Sequence, residues 1–104
     1  MDNRPIGFFD SGLGGLTCIA SVSRRLPHED IIYFGDTART PYGSKSVKTI
    51  QRFSAEICDF LLQKNVKMIV IACNSVSATS LGFLREKYKD IPIVGIIESA
   101  AEKA

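Results

Sequence analysis

Cys73 ends the apolar run Lys67-Met68-Ile69-Val70-Ile71-Ala72 and is followed at once by Asn74-Ser75. A thiol at the carboxyl end of a predicted strand, where a helix begins, is placed for chemistry. Unpaired N–H groups and the partial positive charge of a helix start favour thiolate over thiol. The amide and hydroxyl that follow suit a zwitterionic ligand. The plain alternative is a small buried hydrophobe, and the local sequence admits both readings. The only histidine, His28, falls in the turn Leu26-Pro27-His28-Glu29, where a surface position is expected. A Cys–His nucleophile is therefore disfavoured, and a thiolate acting as a proton-transferring base fits better.

Two other loops sit at predicted strand ends. In Asp10-Ser11-Gly12-Leu13-Gly14-Gly15-Leu16-Thr17, glycines at a strand-to-helix turn let backbone N–H groups approach an anion. A dinucleotide fingerprint would need glycine at position 17, which is Thr17, and the Walker lysine is absent. Asp10 and Ser11 facing a small ligand, or a tight capped turn, remain the other readings. The loop Gly35-Asp36-Thr37-Ala38-Arg39-Thr40-Pro41-Tyr42-Gly43 is long for a compact domain, and such loops are often functional. Tyr42 offers a hydroxyl and backbone donors. The structural alternative is that Asp36 and Arg39 pair across the loop.

The elements that must hold these loops alternate along the chain. Strands are read at Pro5–Phe9, Asp30–Phe34, Lys67–Ala72 and Pro92–Ile97, nearly continuous in apolar character, as for strands covered on both faces. Helices are read over Gly15–Leu26, Ser46–Lys64 and Ser77–Lys89. In the second, Val47, Ile50, Ser54, Ile57 and Leu61 recur at helical spacing, with Phe53, Phe60 and Leu62 widening the stripe. Ser46 is its expected N-cap and Asn65 its stop. This order implies a three-layer α/β fold, a mostly parallel four-stranded sheet with helices on both faces. Residues 98–104 read as the start of a further helix, so 1–104 is expected to be one domain, cut at a truncation or a domain boundary.

Composition narrows the function. With 104 residues, 45% apolar, the chain has enough material for a core of its own. A net charge of +2 argues against nucleic acid, and Arg24-Arg25 and the Arg85–Lys89 stretch read as solvated faces. Three cysteines without a CxxC argue against a disulfide framework or a zinc site, and no metal is expected. Cys18 and Cys58 fall inside predicted helices and are expected reduced and partly buried. The start lacks a signal-peptide apolar region, and no run approaches the roughly 18–20 residues that span a bilayer. A cytoplasmic protein without membrane contact is expected.

Together, Phe9 to Thr17, Gly35 to Gly43 and Ala72-Cys73-Asn74-Ser75 resemble the amino-terminal half of a glutamate racemase, and Pro92–Glu98 is similar to that family's next strand. The resemblance implies a flavodoxin-like half of a two-domain enzyme that interconverts L- and D-glutamate. It implies no cofactor, two cysteines on opposite faces of the substrate Cα, a homodimer as the full-length enzyme, and D-glutamate supplied for peptidoglycan. By carry-over, Cys73 is one of the two thiols and Asp10 assists it. Asp10, Ser11, Tyr42, Gly43, Asn74 and Ser75 bind the substrate.

The sequence departs from the family pattern in places. Ser75 stands where the family usually has Thr, and Ser99 where a proline often follows the Glu. The family's second cysteine, in a Gly-Cys-Thr-His motif, is not among these residues, and neither Cys18 nor Cys58 has the context to replace it. These residues alone are therefore expected to be inactive or nearly so. The alternatives are an aspartate or hydantoin racemase of the same superfamily, a nucleotide-binding module, and a non-catalytic stand-alone domain.

Overall fold

The computed structural model describes residues 3–10, 24, 28–39 and 42–95. Four strands, β1 (Ile6–Asp10), β2 (Ile31–Gly35), β3 (Met68–Ile71) and β4 (Ile93–Gly95), form one parallel sheet in the order β2-β1-β3-β4. Parallel neighbours need crossovers, and the described ones run through α1 (Val47–Gln63), α2 (Asn74–Thr79) and α3 (Leu81–Lys87). Two single 3₁₀ turns, Thr37–Arg39 and Tyr42–Ser44, lead from β2 into α1. The α/β architecture read from the sequence is the one observed. The expected helix over Gly15–Leu26 and the end of the fourth strand lie outside the described residues, apart from Arg24.

Alternation along each strand divides the sheet into two faces. Phe9, Ile69, Ile71 and Ile93 share one face and pack with Ile50, Ile57 and Leu61 of α1, Val76 of α2 and Leu84 of α3. The three described helices thus cover that face. Ile6, Phe8 and Asp10 point to the other. Gly7 belongs to the helix face, where an added Cβ would stand 3.2 Å from Val66 Cγ1 and 3.3 Å from Leu61. Its missing side chain lets the end of α1 lie close on the central strand. β1 is buried at every residue, whereas the edge strand β2 is half-exposed throughout, less covered than its apolar run suggested.

Helix α1 follows its sequence signals closely. Ser46 caps it, the hydroxyl accepting from Thr49 N–H at 3.2 Å. Lys64 closes the last turn, and Asn65 follows at φ 59°, a left-handed conformation that asparagine tolerates better than most residues. Val47, Phe60 and Leu62 are exposed and do not join the core stripe. The Phe60 ring instead meets Phe34 at 5.2 Å.

The single helix expected over Ser77–Lys89 is two short ones. The first starts earlier, at Asn74, because Ser77 N–H bonds to the Cys73 carbonyl at 3.0 Å. The break falls at Ser80 (φ −128°, ψ −5°) within a Ser/Thr-rich stretch. There the Thr79 hydroxyl donates back to the Ser75 carbonyl at 2.7 Å, the kind of local bond that competes with a regular helix.

Replacing Ser46 with Ala removes the α1 cap and should cost about 1 kcal/mol. Urea unfolding should show a lower midpoint with an unchanged slope.

Candidate functional site

Three strand ends are joined at the carboxyl edge of the sheet. Asp36 N–H donates to the Asp10 carbonyl at 2.9 Å, and Ala72 N–H donates to the Phe9 carbonyl at 2.8 Å. These bonds carry the ladder past the strands on both sides of β1. Asp10 therefore emerges between the start of the Gly35–Gly43 loop and the Ala72–Cys73 turn. This is the edge where parallel α/β sheets bind ligands.

Asp10 and Cys73 are both buried there. Cys73 precedes α2 in an extended conformation (φ −90°, ψ 126°), and its thiol makes no capping bond to the helix. It also joins the apolar cluster with Tyr42 and Val76. Cys73 is thus a packed residue, and it stands at the strand-to-helix junction where the sequence placed it. Ser75 is half-buried one turn before Thr79. The backbones of Gly43 and Asn74 belong to the second 3₁₀ turn and to α2. Ser11 and the rest of the glycine-rich loop lie outside the described residues, as does Cys18.

The second loop is organised around a buried carboxylate. Asp36 accepts from Arg39 Nε at 2.8 Å and from the Tyr42 hydroxyl. Arg39 also reaches Glu56 of α1 and lies 3.9 Å above the Phe53 ring, which in turn packs on Tyr42 at 5.9 Å. The pairing of Asp36 with Arg39, one of the two readings of this loop, is thus real. It also clamps the loop onto α1. Burial, followed by the bond to Asp36 and that carboxylate's charge, pushes the Tyr42 phenol well above its ordinary pKa. A negative charge on Cys73 adds a smaller upward push, because Tyr42 and Cys73 share one electrostatic neighbourhood.

The Tyr42 hydroxyl proton is thus given to Asp36, while the residue's backbone N–H has no such role in the clamp. Sequence reading gave Asp36 no more than a pairing role. Its signal was the acid–base spacing to Arg39, whereas nothing in α1 marked Glu56 as the third member.

Cys58 is fully buried in α1, deeper than its helical position suggested. Burial, with a smaller contribution from Asp59, pushes its thiol up to about 12. It is a packing residue. His28 is exposed, as expected. A cavity of about 370 Å³ lies at the opposite edge of the sheet, lined by Arg4, Lys67, Lys87 and Asp90 among others, and it holds none of the predicted site residues. Among the described residues no cluster of ligating side chains could hold a metal ion, and no helix is long and apolar enough to cross a membrane.

Two outcomes are expected. Tyr42→Phe removes a donor from buried Asp36 and should lower stability by about 1–3 kcal/mol in urea unfolding. For Cys58, the folded pKa of about 12 lies above the ordinary 9.0. The stabilisation from keeping this thiol neutral is complete below pH 9 and is lost as pH rises towards 12. Thermal melts of Cys58→Ala should accordingly decline less steeply across that window than those of the parent chain.

Known proteins are similar to this chain in sequence and fold. The family model for Asp/Glu/hydantoin racemases matches residues 16–104. The glutamate racemase of Neisseria meningitidis is 52% identical over 97% of the chain, and that of Streptococcus sanguinis 51% identical over all of it. The chain spans 37% and 39% of the length of these two relatives. Among solved structures, glutamate racemase from Francisella tularensis in complex with D-glutamate superimposes with a TM-score of 0.88 at 53% identity. That match covers 94% of this chain and 37% of the other. A glutamate racemase isoform from Bacillus anthracis gives 0.94 at 42% identity, covering 100% and 39%. The chain belongs to the Asp/Glu/hydantoin racemase family.

Proposed function

We propose that this chain supplies one face of the active site of a glutamate racemase that works without a cofactor. The observation that carries the reading is the burial of Asp10 and Cys73 at neighbouring strand ends. They occur in a chain about half identical to glutamate racemases, one of them solved with D-glutamate. Cys73, as thiolate, takes the α-proton and becomes a thiol. The C–H electron pair passes into the adjacent carboxylate, and a thiol on the opposite face delivers a proton to Cα. Microscopic reversibility makes Cys73 the donor in the other direction.

Asp10 assists Cys73 and meets the substrate together with Ser11. The backbones of Tyr42 and Gly43, with Asn74 and Ser75, complete the grip on the amino and carboxylate groups. The opposite thiol belongs to the part of such an enzyme beyond the 37–39% of its length that this chain spans. The whole enzyme is then a cytoplasmic homodimer that supplies D-glutamate for peptidoglycan. The side-chain length it accepts, glutamate against aspartate, depends partly on that remaining part.

Two results are expected. The purified 104-residue chain should not racemise L-glutamate measurably by polarimetry, and clear turnover would overturn the two-thiol division of labour. In the complete enzyme, Cys73→Ser should lower kcat by about 10³-fold or more with an unchanged circular-dichroism spectrum. Retained activity would remove Cys73 from the mechanism.

A further inference from the structure

Tyr33 lies on the face of β2 away from the three described helices, and no part of the proposed reaction uses it. Its ring runs along the strand towards the carboxyl edge and covers Gly35. The hydroxyl comes within 2.7 Å of where a Gly35 Cβ would stand, with Cε2 at 3.0 Å and Cζ at 3.1 Å. Any side chain at position 35 would displace the phenol, so the glycine makes room for it. In the β1–β2 ladder Gly35 pairs with Asp10, and Tyr33 with Phe8. Residues paired across parallel strands project to the same face, and neighbouring strands lie about 4.8 Å apart. The phenol oxygen therefore sits in the place beside Asp10 that a side chain at position 35 would otherwise fill.

We infer that Tyr33 is a positioning residue for Asp10: its phenol, folded over Gly35, braces the buried carboxylate at the edge of the sheet. The inference rests on the proposed reading of Asp10 as the group that assists Cys73. The electrostatics agree with the geometry, since burial first and then the Asp10 charge raise the Tyr33 pKa. A phenol that stays protonated beside a carboxylate can only donate to it or crowd it, and either restricts where the carboxylate points.

The test is the pH profile of Cys73 alkylation by iodoacetamide in the full chain, followed at the Cys73 peptide by mass spectrometry. Reading the Cys73 peptide alone keeps alkylation of Cys18 or Cys58 out of the profile. Asp10→Asn should displace the midpoint of the profile. Tyr33→Phe should displace it as well, by about threefold in rate below the midpoint, and should have no effect in the Asp10→Asn background. Gly35→Ala provides the second arm, because it moves only the far end of a flexible ring. It should reproduce the Tyr33→Phe displacement and add nothing to it.

A midpoint moved by Asp10→Asn but not by Tyr33→Phe or Gly35→Ala would overturn the role of Tyr33 and leave that of Asp10 standing. Equal displacement with and without Asp10 would show the phenol acting elsewhere and would also overturn it. A midpoint unmoved by Asp10→Asn would remove both assignments.

Discussion

The site depends on β1 being the strand between β2 and β3, with hydrogen bonds continuing beyond its regular pairing. The bonds from Asp36 N–H to the Asp10 carbonyl and from Ala72 N–H to the Phe9 carbonyl set the ends of three strands side by side. Together with the parallel β1–β3 ladder they bring Asp10 and Cys73, 63 positions apart in sequence (73 minus 10), to one edge. Register here is not a local matter. Side chains alternate along a strand, so a slip of one residue would turn Asp10 to the helix face and Phe9 away from the core. Gly7 opposes that slip, because the end of α1 lies too close there for Ile6 or Phe8 to take its place, so core packing and site geometry are fixed by one choice.

A second constraint holds the loop after β2. Its buried Asp36 is satisfied by Arg39 and Tyr42, and Arg39 is in turn held by Glu56 and the Phe53 ring. A carboxylate buried without such donors would be strongly unfavourable. The loop is thus ordered by polar bonds to α1 more than by regular structure. On the proposed reading, that order presents the Tyr42–Gly43 backbone to the substrate. The Tyr42 side chain is part of that bracing.

Much of this was legible from residue patterns. Periodicity located α1 within a residue at each end, since its stripe, Ser46 and Asn65 agree with one another. Strand positions were legible for the same reason, and the three loops fell on one edge once the order of elements was known. The break at Ser80 was not legible, because Leu81, Leu84 and Tyr88 keep helical spacing across it while the hydroxyl bonds that interrupt the helix leave no mark on apolar periodicity. Phe60 and Val47 were misread because spacing gives an angular position on a helix but not how wide the covering layer is. Asp36 could be paired with Arg39 by spacing, but Glu56 and Tyr33 needed coordinates, since their partners come from other elements.

Helices of six and seven residues, as α2 and α3 are, fall well below the length that holds together alone in water. Their order is lent by α1 and β4, against which they pack. The turn that carries Cys73 therefore belongs to the same cooperative unit as the core and has no separate melting of its own to draw on. Its lifetime as a site is the lifetime of the fold, and any change that loosens the contact between α1 and the sheet, however far from the thiol, shortens both together.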